Sequence, residues 1–170
     1  MHLSTLLLTF LGFTLYSHAA PRLGEPAPDV ALTLTGNEAA RLSDYKGQWV
    51  VLYFYPKADT PGCTKQACSL RDDYAALQKL NAIVLGASLD KLAAQEKFKA
   101  KYELPFPLIA DHNKNLATAF DVLKLGGLMT GRKTFIINPE GKIAYIFDKV
   151  KTSSHYDEVA AQLKLLQDES

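Results

Sequence analysis

An unbroken apolar run, Trp49-Val-Val-Leu-Tyr-Phe-Tyr55, with Thr60-Pro61 close behind it, constrains this chain more than any other stretch. The run has the length and the β-branched and aromatic content of a buried strand. Thr is a favoured helix N-cap and Pro a favoured first helical residue, so a helix is expected to start there after a short loop. Cys63 then falls in the first helical turn, and Cys68, the only other cysteine of the chain, follows it. Unpaired backbone N–H groups and the positive end of the helix dipole meet in that turn and stabilise a thiolate.

The remaining pattern extends this unit into an α/β chain. Gly24 to Pro28 is a proline-punctuated extended entry. Val30 to Leu34 alternates like a half-buried strand, Gly36-Asn37 supplies a turn, and Ala39 to Leu42 can pair back as a hairpin. Ser43 to Gly47 is expected to form a loop or a single turn. The helix from Pro61 is expected to run to about Leu80, because Ala67, Leu70, Tyr74, Leu77 and Leu80 keep three- and four-residue spacing. Ile83 to Ser88 is a second buried strand, Lys91 to Tyr102 a helix, Phe106 to Ala110 a short strand, and Asn115 to Phe120 a short helix. Thr134 to Asn138 and Lys142 to Phe147 flank the turn signal Pro139-Glu140-Gly141, and Tyr156 to Leu166 closes the chain as an amphipathic helix. Alternating strands and helices ending in a hairpin and a helix predict a central sheet with helices on both faces.

A chain of 170 residues with 48% hydrophobic content fits one well-cored domain. A formal net charge of +1 gives no electrostatic reason to expect nucleic acid or an anionic membrane as partner. The first 21 residues hold no Lys, Arg, Asp or Glu. Leu6 to Tyr16 forms an apolar core of signal-peptide size, and Ser17-His18-Ala19 offers small residues where a signal peptidase cuts. We therefore expect residues 1–19 to be a cleaved leader, residues 20–170 to be the single domain, and the protein to be exported to the periplasm. An uncleaved membrane anchor is the alternative. The apolar stretch is short for it, and no stable membrane association is expected.

Export makes a structural disulfide the default for two cysteines. Helix geometry opposes it. Residues five apart on one helix have Cα atoms about 8.6 Å apart and roughly 140° apart around the axis, whereas a disulfide needs Cα atoms within about 7 Å. Either the segment is not helical, or it is helical when reduced and unwinds on oxidation. The Thr-Pro start and the apolar periodicity through Ala67 and Leu70 favour the second case, a redox-cycling pair.

The stretch Pro56-x-x-x-Thr60-x-x-Cys63 resembles the active-site signature of peroxiredoxins. Tyr53 to Asp72 is similar to the branch called peroxiredoxin Q or bacterioferritin comigratory protein. The likeness extends through Gly86-Ala-Ser-Leu-Asp90, Pro105 to Asp111 and Arg132-Lys-Thr-Phe-Ile-Ile-Asn138. It implies a thioredoxin-like fold and a thiol peroxidase that reduces hydrogen peroxide and organic hydroperoxides. In that scheme Cys63 is the peroxidatic cysteine and passes through a sulfenic acid. Thr60 hydrogen-bonds thiolate and peroxide, Pro56 shields the site from water, and Arg132 supplies a fixed positive charge. Cys68 resolves the sulfenic acid as an intramolecular disulfide, and a thioredoxin-like reductant restores both thiols. No metal or organic cofactor is required. The segment Phe120 to Gly131 departs from the longer Tyr- and Gly-rich stretch of that branch.

Taken alone, Arg132 fits a surface arginine; the Thr-Phe-Ile-Ile run after it favours the site. Arg71 beside Asp72 is expected to make a helix-surface ion pair, Trp49 to pack in the core, and Asp90 to cap a helix. His112 and His155 are expected in exposed polar loops, with no spacing suited to a metal. A thioredoxin-class exchange protein is a weaker reading because the chain lacks Cys-x-x-Cys. With no apolar helix face evident for dimerisation, a monomer is expected.

Overall fold

The computed structural model describes residues 20–169, and the leader expected over 1–19 lies outside them. The elements in chain order are β1 (Ala31–Leu34), β2 (Glu38–Arg41), β3 (Trp49–Phe54), α1 (Pro61–Asp72), α2 (Tyr74–Lys79), β4 (Ala82–Ser88) and α3 (Leu92–Lys101). After them come β5 (Leu108–Ala110), α4 (Asn115–Ala119), β6 (Leu123–Lys124), β7 (Met129–Thr130), β8 (Lys133–Ile137), β9 (Ile143–Phe147) and α5 (His155–Asp168). Seven strands form one mixed sheet in the order β2-β1-β5-β4-β3-β8-β9, and β6 and β7 form a small hairpin apart from it. β3 runs parallel to β4 and antiparallel to β8, while β4 runs parallel to β5. This is the thioredoxin-like arrangement expected. Among the described residues no helix is long and apolar enough to cross a membrane.

The run at residues 49–54 is buried along its whole length because both faces of β3 are covered. Val51, Tyr53 and Tyr55 pack with Ala67 and Leu70 of α1, Phe98 of α3 and Val159 and Leu163 of α5. Val50, Leu52 and Phe54 face the opposite way, against Leu116, Phe120 and Phe135. Gly86 lies beside Tyr53 in the parallel ladder, and a Cβ there would fall 2.5 Å from the tyrosine ring. The glycine leaves the space that the ring fills.

The fold differs from expectation at four points. The helix from Pro61 does not run through to Leu80. It ends at Asp72 and restarts at Tyr74, with Asp73 off helical geometry at φ −121° and ψ 23°. Two adjacent carboxyls at a helix C-terminus oppose the dipole, and Asp is a poor interior residue. β5 starts at Leu108, beyond Pro107, later than expected. The β6–β7 hairpin was not anticipated, since two-residue strands carry no periodicity.

The fourth correction concerns His155, which is buried rather than exposed and opens α5. Its Nε2 lies 2.9 Å from Thr134 Oγ1, and Phe147 meets its ring edge-on. The i, i+4 spacing of His155, Val159 and Leu163 on the inner face of α5 was the available signal.

Candidate active site

The sheet brings the carboxyl ends of β3 and β4 together, and β8, antiparallel to β3, begins at the same edge. Loops at that edge are where open α/β sheets place their chemistry. The loop leaving β3 carries half-buried Pro56 and Thr60 into α1. Thr60 is the N-cap residue, in extended geometry at φ −98° and ψ 155°, and Pro61 follows at the first helical position, as expected. The Thr60 side chain does not cap the helix, however. Its hydroxyl donates to Lys57 O at 2.9 Å. The first helical bond is Thr64 N–H to Thr60 O at 2.8 Å, so the amides of Gly62 and Cys63 belong to the unpaired first turn.

Cys63 is 1% exposed, and its sulfur lies 3.4 Å from Arg132 Nη2. Arg132 Nη1 donates to Gln66 Oε1 at 2.5 Å. The structure thus joins two expected site residues 69 positions apart, Cys63 and Arg132, into one contact. Two residues that the sequence reading passed over support it. Gln66, fully buried one turn after Cys63, holds the far prong of the guanidinium. Gly62 leaves room for the near prong, since a Cβ there would stand 3.2 Å from Nη2.

The path of residues 120–131 explains how Arg132 is delivered despite the departure noted in that segment. Gly131 N–H bonds Val122 O at 2.7 Å, closing the β6–β7 hairpin. Thr130 Oγ1 donates to Tyr55 O at 2.7 Å, fastening the hairpin to the end of β3. Arg132 follows immediately.

Cys68 is partly buried, and both cysteines are free thiols on the continuous helix α1. Tyr53 lies beneath them. Burial raises its phenol well above the ordinary value, and the neighbouring Tyr55, Cys63 and Cys68 add to the effect. Asp90 does not cap α3, whose N-cap is Lys91 with no side-chain bond. Arg71 makes the expected ion pair with Asp72 at 2.6 Å, Trp49 is buried in the core, and His112 is exposed. Among the described residues no group of three or more His, Cys, Asp and Glu side chains could hold a metal.

Comparison with known proteins accords with this geometry. The AhpC/TSA family matches residues 23–146. Peroxiredoxin Bcp of Bacillus subtilis is 44% identical over 148 residues, covering 84% of this chain and 94% of that protein. Peroxiredoxin Bcp of Escherichia coli is 41% identical over 149 residues, covering 84% and 96%. Among solved structures, a mutant PrxQ of Xylella fastidiosa superposes with a TM-score of 0.81 at 34% identity, covering 86% of this chain and 98% of its own. A bacterioferritin comigratory protein of Xanthomonas campestris, studied for alkyl peroxide reduction, gives 0.76 at 37% identity, covering 80% and 90%.

Proposed function

The chain belongs to the AhpC/TSA family and is a peroxiredoxin, a thiol peroxidase, and from that premise we propose how its own residues carry the reaction. The observation that carries the assignment is the guanidinium of Arg132, 3.4 Å from a sulfur in the first turn of α1. A fixed cation and unpaired helix amides meet at the reacting sulfur and stabilise the negative charge that grows on the departing oxygen.

The Cys63 thiolate attacks the terminal oxygen of the hydroperoxide. The O–O bond breaks, an S–O bond forms, and the leaving alkoxide or hydroxide takes a proton to become alcohol or water. Sulfur is oxidised to sulfenic acid and the peroxide is reduced by two electrons. The Thr60 hydroxyl, its proton committed to Lys57 O, accepts a hydrogen bond from the peroxide O–H. Pro56 limits water at the sulfur. Cys68 then attacks the Cys63 sulfur, the S–O bond breaks, and water departs as the disulfide forms. A thioredoxin-like dithiol returns the two electrons.

The protein is proposed to act as an exported monomer, its leader removed after Ala19. The apolar core of residues 6–16 and the small residues before the cut support that reading.

The test is peroxide consumption by the purified protein with a thiol reductant. Cys63→Ser is expected to abolish it, and equal consumption by that variant would falsify the assignment. Mass spectrometry after one equivalent of peroxide is expected to show loss of two hydrogens, mapped to Cys63–Cys68. A persistent gain of one oxygen on Cys63 would make this a one-cysteine enzyme. The same spectrum reads the mature N-terminus.

A further inference from the structure

We propose that Asp90, assisted by Asp59, is a positioning residue for the loop that presents Pro56 and Thr60 to the peroxide, an inference that rests on the reaction assigned to Cys63 above. Asp90 Oδ2 accepts the Ala58 N–H at 2.7 Å and the Ser88 hydroxyl at 2.7 Å. Ser88 Oγ accepts from Gln95 Nε2 at 2.9 Å and from Asp90 N–H at 3.2 Å. Gln95 Nε2 also donates to Ile109 O at 2.8 Å, and its Oε1 accepts the Tyr55 hydroxyl. The bonds form a closed circuit: from Tyr55, where β3 ends, through α3 and the end of β4, and back into the loop at Ala58.

The centre of this circuit is buried. Tyr55, Ser88 and Gln95 are fully buried, so each bond is strong and each unmade bond costly. Both ends of the Gln95 amide are used, which fixes its orientation and with it the hydroxyls of Ser88 and Tyr55. Ala58 is the one point where the network grips the catalytic loop.

Ala58 packs against the core, yet the loop is not closed down on α3. Ala58 and Asp59 face α3 across a cleft of ≈ 520 Å³ lined also by Ala94, Phe98 and Ala100. Polar tethers span that cleft. Besides Asp90, the Asp59 carboxyl accepts from Lys101 Nζ at 2.9 Å and from the Tyr102 hydroxyl at 2.7 Å, with Asp59 in the left-handed region at φ 57°. This second tether is exposed and screened by salt, hence weaker than the buried one. Because Thr60 bonds back to Lys57 within the same loop, the place of the loop decides the place of the Thr60 oxygen. Cys63 is held by α1, and Arg132, between β7 and β8, by its bond to Gln66 of the same helix. A loop freed at Ala58 therefore loses peroxide alignment while the thiol keeps its cationic partner.

The experiment compares two second-order rates of Cys63 at one pH: oxidation by hydrogen peroxide, and alkylation by iodoacetamide, which needs the thiolate but not the loop. Asp90→Ala is expected to slow oxidation on the order of 10²-fold, the scale of a ~1 Å misplacement, with alkylation nearly unchanged. Asp90→Asn keeps an oxygen able to accept both bonds and is expected to restore most of the loss. Lys101→Met combined with Tyr102→Phe, a surface variant that keeps the half-buried ring and removes only the tether's donors, is expected to give a smaller selective loss of the same kind. Oxidation at the parent rate in Asp90→Ala overturns the proposal, as does a parallel fall of both rates. If Asp90→Ala does not fold, an unaltered ratio of rates in both Asp90→Asn and the surface variant overturns it instead. A parent protein inert to peroxide defeats the underlying assignment and this proposal with it; an active parent indifferent to the variants defeats this proposal alone.

Discussion

The two prongs of the Arg132 guanidinium divide the labour at the reacting sulfur. Nη2 faces Cys63 at 3.4 Å, and Nη1 is taken by Gln66 at 2.5 Å. The Gln66 bond fixes the plane of the fork, so charge and direction reach the sulfur together. Arg132→Lys keeps the charge but can serve only one partner. It is expected to slow peroxide oxidation of Cys63 by ~10²-fold, the usual cost of one preorganised donor, whereas Gln66→Leu, which loosens the fork, is expected to cost about tenfold. Stopped-flow oxidation measures both, and parental rates in Arg132→Lys would show that the charge suffices without the fork. Cys63, Thr60 and Pro56 were legible as candidates because a motif names them, and Arg132 because the stretch it opens shares the likeness. Gln66 was not, although it sits only three residues beyond the motif, because its importance depends on a contact with a residue 66 positions away. Gly62 was hidden likewise. Only the position of the guanidinium reveals that a methyl group there would crowd it.

α1 carries both thiols, and the element itself opposes the disulfide. It is a regular helix from Pro61 to Asp72, so bringing the two sulfurs together requires at least one turn to unwind. The disturbance does not stop at Cys68. Ser69 Oγ, the next residue along, accepts the Tyr156 N–H at 3.1 Å and so caps the first turn of α5 from across the interface. The α5 N-cap residue, Ser154, makes no side-chain cap bond of its own. Unwinding residues 63–68 is therefore expected to uncap α5 as well. Hydrogen exchange should rise on oxidation in residues 61–70 and in 155–158 but not in the β3–β4 core, and Cys68→Ser should show neither change. Unaltered exchange at the start of α5 in the disulfide form would count against the coupling. The sequence made α1 legible through its Thr-Pro start, yet its end was misjudged. The apolar spacing continues past Asp73, and the backbone break there depends on local carboxyls that a count of apolar residues ignores. The β6–β7 hairpin was illegible for the opposite reason: its two-residue strands carry no pattern, and Thr130 fastens them to the carbonyl of Tyr55, 75 positions away.

At the scale of the molecule, the class of fold followed from buried strands alternating with helices, but the strand order did not. That β8 joins β3 and thereby delivers Arg132 is a fact of long-range pairing that no local stretch encodes. The same closure buries His155 between α5 and the β8–β9 edge, and this has a consequence for acid stability. Burial first, and then the positive charge of Arg132, lower its imidazole from 6.5 to about 4. Glu158 Oε2, 3.6 Å from Nδ1, pulls the other way but is too distant for a hydrogen bond. The folded state therefore keeps the ring neutral where the unfolded chain binds a proton. This contribution to stability is complete above pH 6.5 and is lost as pH falls towards 4. Across that window the loss amounts to about 3 kcal/mol. Buried Asp111, raised above its ordinary value by burial against the pull of the Ala117, Leu116 and Asn115 amides, acts in the reverse direction and blunts the overall decline. Comparing the parent with His155→Phe cancels that term. The variant loses the bond to Thr134 and should be less stable at pH 7, but urea titrations at pH 7 and pH 4.5 should show a smaller acid loss in the variant than in the parent. Parallel declines would mean that Glu158 shares the proton with His155 and that the buried ring is already charged in the folded protein.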